Sequence, residues 1–183
     1  MIILLVVLGV VVLLGIYGVV KYNGLVGLRN KIENAYAQID VQLTRRHDLI
    51  PNLVETVKGY ASHEAKTLEA VIAARNQATA AQGPAQQAQA ENVLTDTLRS
   101  LFAVSEAYPD LKANQGFLDL QEELTSTESR IAYARQFYND SVLKFNTKIE
   151  TFPAVALAGP LKFTKREYFE VDEGSRGNVQ VQF

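Results

Sequence analysis

The residues of this chain that could do chemistry are a basic tetrad, two histidines and scattered carboxylates. Arg45-Arg46-His47-Asp48 sets two guanidiniums, an imidazole and a carboxylate in consecutive positions. Adjacent arginines can grip a phosphate or a partner carboxylate. At the end of a helix the same cations would complement the macrodipole and pair with Asp48. His63-Glu64 lacks the second histidine of the H-E-x-x-H zinc motif. The chain has no cysteine, so a metal would need an oxygen-rich set such as Asp40, Asp48, Glu55 and His63. Asp119, Glu122, Glu123 and Glu128 fall close together, and paired carboxylates can do acid–base work. No nucleophile, oxyanion donor or glycine-rich phosphate loop accompanies them, so they read as a solvated helix face. No catalytic, cofactor-binding or metal-ligating residue is expected. The candidate partner-binding residues are Arg45, Arg46, Asp48 and Asn52 near Pro51, and Tyr168 and Phe169 in the tail.

The positioning elements begin with residues 2–20. Every position there is Leu, Ile or Val except Gly9, Gly15, Tyr17 and Gly18. A helix of that length rises roughly 28 Å, the thickness of a bilayer's hydrocarbon core. Summed insertion preference is on the order of −5 kcal/mol. A cleaved secretory signal fits less well, because no Lys or Arg precedes the run and no A-x-A-like site follows it. The expected contact is therefore with membrane lipid. Lys21, Arg29 and Lys31 follow the run, which by the positive-inside rule places Met1 outside and the remainder in the cytoplasm of a bacterial inner membrane, with an extracytoplasmic bundle as the alternative. No G-x-x-x-G occurs in the span, so that helix-pairing motif gives no basis for assembly.

The remainder is long enough for one domain with a core. With 18 Lys and Arg against 20 Asp and Glu, no basic excess exists to neutralise phosphates, which argues against a nucleic-acid partner. The apolar pattern is helical. Leu25, Leu28, Ile32, Ala35, Ile39 and Leu43 step by three and four along one stripe. Pro51 predicts a break at residues 48–50 with a second helix starting there, or alternatively one long helix kinked at Pro51. The second stretch carries Leu53, Val54, Val57, Tyr60, Leu68, Val71 and Ile72. Gly83-Pro84 predicts the turn of a helical hairpin. A third helix holds Val93, Leu94, Leu98, Leu101, Phe102 and Val104, and Pro109 restrains its end. Asn114 reads as the cap of the next helix, although Tyr108 to Asn114 could also be a binding loop. The fourth stripe, Phe117, Leu120, Leu124, Thr127, Ile131, Ala134 and Tyr138, continues through Val142, Phe145, Ile149 and Phe152 to Pro153. From Ala154 turn residues and aromatics alternate irregularly. That predicts an extended tail, with a short strand at residues 178–183.

Several segments resemble the LemA family of bacterial membrane proteins. They include Tyr22-Asn23 with Leu25-Val26, Ala37-Gln38-Ile39-Asp40-Val41-Gln42-Leu43, and Asp48-Leu49-Ile50-Pro51-Asn52-Leu53-Val54. Tyr108-Pro109-Asp110-Leu111-Lys112-Ala113-Asn114, Ile131-Ala132 with Ala134-Arg135, Tyr138-Asn139 and Phe152-Pro153 continue the likeness. Tyr36 stands where the family often has Trp. The resemblance implies a transmembrane helix followed by a four-helix bundle, and no established activity.

The expected fold is all-α: a transmembrane anchor over residues 1–21, an antiparallel up-and-down four-helix bundle over 22–152, and an extended tail over 153–183. The expected function is that of a non-enzymatic, membrane-anchored scaffold or adaptor. It is expected to be a homo-oligomer, to bind a protein partner of unknown identity, and to use no cofactor. The alternative is a small-ligand sensor or hydrolase-like enzyme with Arg46, Asp48, Asn52 and Glu64 lining a pocket inside the bundle.

Overall fold

A computed structural model describes residues 1–170; the strand expected at 178–183 lies outside the described residues. The chain is all-α. Helix α1 runs unbroken over Ile2–Lys58, α2 over Ala65–Ala80 and α3 over Gly83–Ser105. A short α4 (Pro109–Lys112) precedes the long α5 (Gln115–Glu150), and a four-residue α6 (Val155–Ala158) opens the tail.

The predicted break at residues 48–50 does not occur, and Pro51 lies inside α1. The helix passes residue 21 without interruption as well. Proline has no N–H, so it leaves the carbonyl four residues earlier without its helical partner. That carbonyl belongs to His47, and Arg75 of α2 donates its Nε–H to it at 2.8 Å. A side chain from a neighbouring helix thus supplies the hydrogen bond that Pro51 removes. The chain turns instead at residues 59–64, after which α2 folds back along α1.

The remaining boundaries follow local chemistry. Gly83 adopts a left-handed φ of 78° as the first residue of α3, and Pro84 follows it in the first turn. Asn114 caps α5 by accepting the Phe117 N–H at 2.9 Å.

Pairs along α1 and α5 step in opposite chain order, from Tyr60, just past α1, with Asn114, the cap of α5, through Arg45 with Glu123 to Tyr36 with Tyr138. The α2–α3 pair packs on the upper half of these helices. It forms a core with Ile50, Leu53, Val57, Leu94, Leu101 and Phe117. A second core, nearer the apolar run, joins Leu25, Ile32, Ile39, Leu43, Ile131, Phe145, Phe163 and Phe169.

A strap, residues 163–170, closes this lower core. It lies extended along α5, held by side-chain amides. Asn146 pairs with both the N–H and the carbonyl of Arg166 at 2.9 Å. Asn139 does the same for Phe169, at 2.8 and 3.1 Å. Seven helical residues rise about 10.5 Å, the reach of three extended residues at about 3.4 Å each, so the two amides match the strap's spacing. Tyr138 adds a third bond, to the Glu167 carbonyl at 2.9 Å.

Replacing Arg75 by Met should cost about 1–3 kcal/mol, because the His47 carbonyl is left buried and unpaired. In a Pro51→Ala background, where an amide N–H returns at position 51, the same replacement should cost markedly less. Denaturant unfolding of the four variants measures this coupling, and equal costs in both backgrounds would refute the account of Pro51.

Candidate functional site

Between the two cores lies a layer of buried polar side chains. Arg46 continues the apolar stripe of α1 between Leu43 and Ile50, and Glu91 continues that of α3 before Leu94 and Leu98. Helical periodicity therefore turns both inward. Glu91 is 2% exposed and Arg46 4%. One Glu91 oxygen lies 2.6 Å from His47 Nε2 and the other accepts from Arg46 at 3.2 Å. Arg46 also meets Glu128 at 3.0 Å and donates to Thr95 at 2.8 Å. Thr79 stands 3.4 Å from His47 Nδ1 and donates to the Arg75 carbonyl at 2.9 Å. Below this, Gln87 accepts the Tyr36 hydroxyl at 2.7 Å.

Burial shifts the titration of three groups at the lower edge of the layer. Burial pulls the Arg135 guanidinium below its ordinary range, against the opposing pull of Glu128 and Glu91. The ring of Phe169 lies 4.9 Å from that guanidinium and offers it a π face. Burial pushes the Tyr138 phenol up to about 12, and Tyr36 beside it adds to the shift. Tyr36 is raised for the same first reason, with Asp40 contributing.

The residues singled out from the sequence do not converge. Arg46 and His47 enter the interior. Arg45 pairs with Glu123 of α5 on the outside. Asp48 and Asn52 are exposed on the outer face of α1. Glu64 sits beyond the end of α1, where Tyr108 donates to it at 3.2 Å. Phe169 is buried under Arg135 and Tyr168 is half-buried. Two readings need correcting. The arginines do not lie at a helix end, since α1 continues to Lys58. Glu123 and Glu128 are not merely solvated, since each meets an arginine of α1. Among the described residues no group of three or more His, Asp or Glu could hold a metal ion.

Sequence reasoning missed Glu91, Gln87 and Arg75, which lie in or beside the Ala- and Gln-rich stretch. A signal was present: Gln87, Glu91, Leu94, Leu98, Leu101 and Ser105 form one stripe at helical spacing, so a carboxylate stood on a core face.

Beside the polar layer is a cavity of about 240 Å³ lined by Arg46, Thr95, Arg99, Phe102, Leu124 and Glu128, among others. On the opposite side of the α1–α5 pair is a larger open groove of about 800 Å³. Its lining includes Ala37, Val41, Gln42, Arg130, Tyr133 and Phe137. Tyr133 is 75% exposed there and Val41 64%. Lys31 lies over the Phe137 ring at 5.0 Å.

The LemA family model matches residues 35–183. The chain belongs to the LemA family. That match spans α1 from residue 35 onward and all the later helices, including the polar layer and the strap. Protein LemA of Metamycoplasma hominis is 26% identical over 162 residues, covering 88% of this chain and 74% of that protein. The side chains of residues 2–20 are exposed among the described residues, and the helix that holds them is long and apolar enough to cross a membrane, consistent with membrane anchoring of this chain.

Removing one partner from a buried ion pair leaves the other charge unmet, at about 3–5 kcal/mol. Glu91→Ala should lose that much in denaturant unfolding. Arg46→Met combined with Glu91→Leu should recover most of it, and failure to recover would show that the layer's role exceeds charge pairing. Tyr138 gives a pH signature. Its phenol is held neutral in the folded state, so its contribution is fully present below pH about 10. That contribution is lost as pH rises through about 12. Stability should therefore fall more steeply across that window in the wild type than in Tyr138→Phe; parallel curves would contradict this.

Proposed function

We propose that this protein is a membrane-anchored scaffold that self-associates through the open α1–α5 groove. The observation that carries this reading is the exposure of Tyr133 and Val41 on the lining of a groove of about 800 Å³. Large apolar side chains clustered in a groove are the usual mark of a protein-binding surface. Val41, Arg45, Asp48 and Asn52 step by four, three and four, which puts them on one stripe of α1 beside the groove. Arg45, Asp48 and Asn52 are the polar margin of the proposed surface. Arg46 and Phe169, both interior, support it from behind, and Tyr168 lies away from it on the strap.

An antiparallel up-and-down arrangement of the four long helices agrees with the residue pairs between α1 and α5. Anchoring favours association in two ways. It raises effective concentration, and it holds copies in one orientation, so that the same heights on neighbouring molecules face each other. The continuous α1 carries this orientation some 57 Å from the end of the apolar run, taking 38 residues at 1.5 Å each. The basic flank of Lys21, Arg29 and Lys31 favours a cytoplasmic bundle with Met1 outside.

The ligand-sensor or hydrolase reading draws less support. The cavity of about 240 Å³ is below the roughly 300–1,000 Å³ of small-molecule sites. Arg46, its most buried charged residue, is already met by Glu91, Glu128 and Thr95.

The absence of native cysteine makes cross-linking direct. In membranes, Val41→Cys and Tyr133→Cys should form dimers with a short bis-maleimide, whereas His63→Cys at the far turn should not. Tyr133→Glu should abolish dimer formation by Val41→Cys. A particle with the mass of one chain at all concentrations, together with no cross-link at Val41→Cys, would refute self-association.

A further inference from the structure

The segment that joins α5 to the strap, residues 151–162, carries apolar side chains that stand exposed among the described residues. Phe152 is 86% exposed, Val155 46% and Leu161 41%. The same segment buries Ala154 and Ala158 against the bundle, so it is two-sided rather than unfolded. Its outward side is the apolar one.

Its height in the molecule is fixed by aromatic contacts. Phe163, at its end, packs on Tyr22 with ring centroids 5.9 Å apart. The Arg29 guanidinium lies 6.0 Å from the same ring. Tyr22 stands two residues past the apolar run, a rise of roughly 3 Å. Each interfacial zone of a bilayer is roughly 5–8 Å deep. The end of the segment is therefore level with the point where the apolar run of α1 ends. Lys21, which lies over the Tyr17 ring at 5.1 Å, marks the same level. Lys148 and Lys162 are exposed around the segment, and Lys165 is tied to Glu150 at 2.5 Å. Lys162 takes a left-handed φ of 56° where the chain turns into the strap.

We infer that residues 151–162 form a second membrane contact, with Phe152, Val155 and Leu161 inserted at the boundary between headgroups and acyl chains of the bilayer that α1 crosses. The surface continues the lipid-facing surface of α1. Exposed lysines beside apolar side chains at that depth can extend to the phosphates while the apolar groups point inward. Two attachments, one at α1 and one at the end of α5, stop the bundle from turning about α1. They set which way the open groove faces in the plane of the membrane. The inference rests on residues 2–20 crossing the bilayer, and its test separates the two.

The chain has no tryptophan, so a single one reports its own surroundings. Full-length Phe152→Trp, Leu161→Trp, Leu13→Trp and Tyr133→Trp are reconstituted in phosphatidylcholine vesicles with and without bromine on the acyl chains. Circular dichroism checks that helix content is unchanged. For insertion about 5–10 Å deep, quenching at positions 152 and 161 should reach about half that at 13 or more, with little at 133. Quenching at 13 but not at 152 or 161 would overturn the inference and leave the anchor standing. A blue-shifted but unquenched Phe152→Trp would mean that protein covers the segment, and would also overturn it. No quenching at 13 would overturn both.

Discussion

A carboxylate removed from water has to be met by positive charge, and the Glu91 carboxylate fixes how these helices assemble. Its two oxygens reach Arg46 and His47, consecutive residues of α1, and so set the register of α3 on that helix. Arg46 carries the constraint across to Glu128 of α5. Arg75 of α2 closes the layer from the other side by meeting the carbonyl that Pro51 frees. All four long helices are thereby indexed to one level of α1. Apolar packing alone would tolerate a slide by one helical turn, whereas here a slide would strand a charge. Such layers add little net stability over apolar packing, and their best-attested use is to specify one arrangement.

The same layer explains why α1 is one helix. A proline in a helix interior costs about 3 kcal/mol or more, and part of that cost is the orphaned carbonyl. With Arg75 satisfying it, the helix continues and the anchor and bundle share a single rod. A flexible joint at the membrane would let the bundle reorient freely; a rod passes the anchor's orientation to the groove. The strap and the segment before it work at the other end, closing the lower core through Phe163 and Phe169 and bringing the end of α5 to the height of Tyr22.

Much of the fold was legible in the residues. The apolar run, the hairpin turn at Gly83-Pro84, the Asn114 cap and the long stripe of α5 each follow from local chemistry, and each appears where that chemistry puts it. The reading failed at Pro51, because the residue that rescues the helix lies on another element. It failed again at the acidic residues of α5, where Glu123 and Glu128 look solvated until α1 brings arginines to them. Arg46 and Glu91 could have been found as polar residues on core stripes, but periodicity alone does not say which charge meets which.

By itself the sequence determined a membrane anchor, an all-α domain and membership of the LemA family, because hydropathy, helical period and capping act over a few residues at a time. Only the tertiary structure decided that anchor and bundle form one continuous helix, that Arg46 and His47 share Glu91, and that Phe169 closes a core. It also decided that Phe152, Val155 and Leu161 lie bare, among the described residues, in the segment that leads to the Phe163–Tyr22 contact. Each of these depends on residues far apart in the chain. Their pairing is set by the need to satisfy buried polar groups and cover apolar surface in three dimensions, which no local pattern encodes.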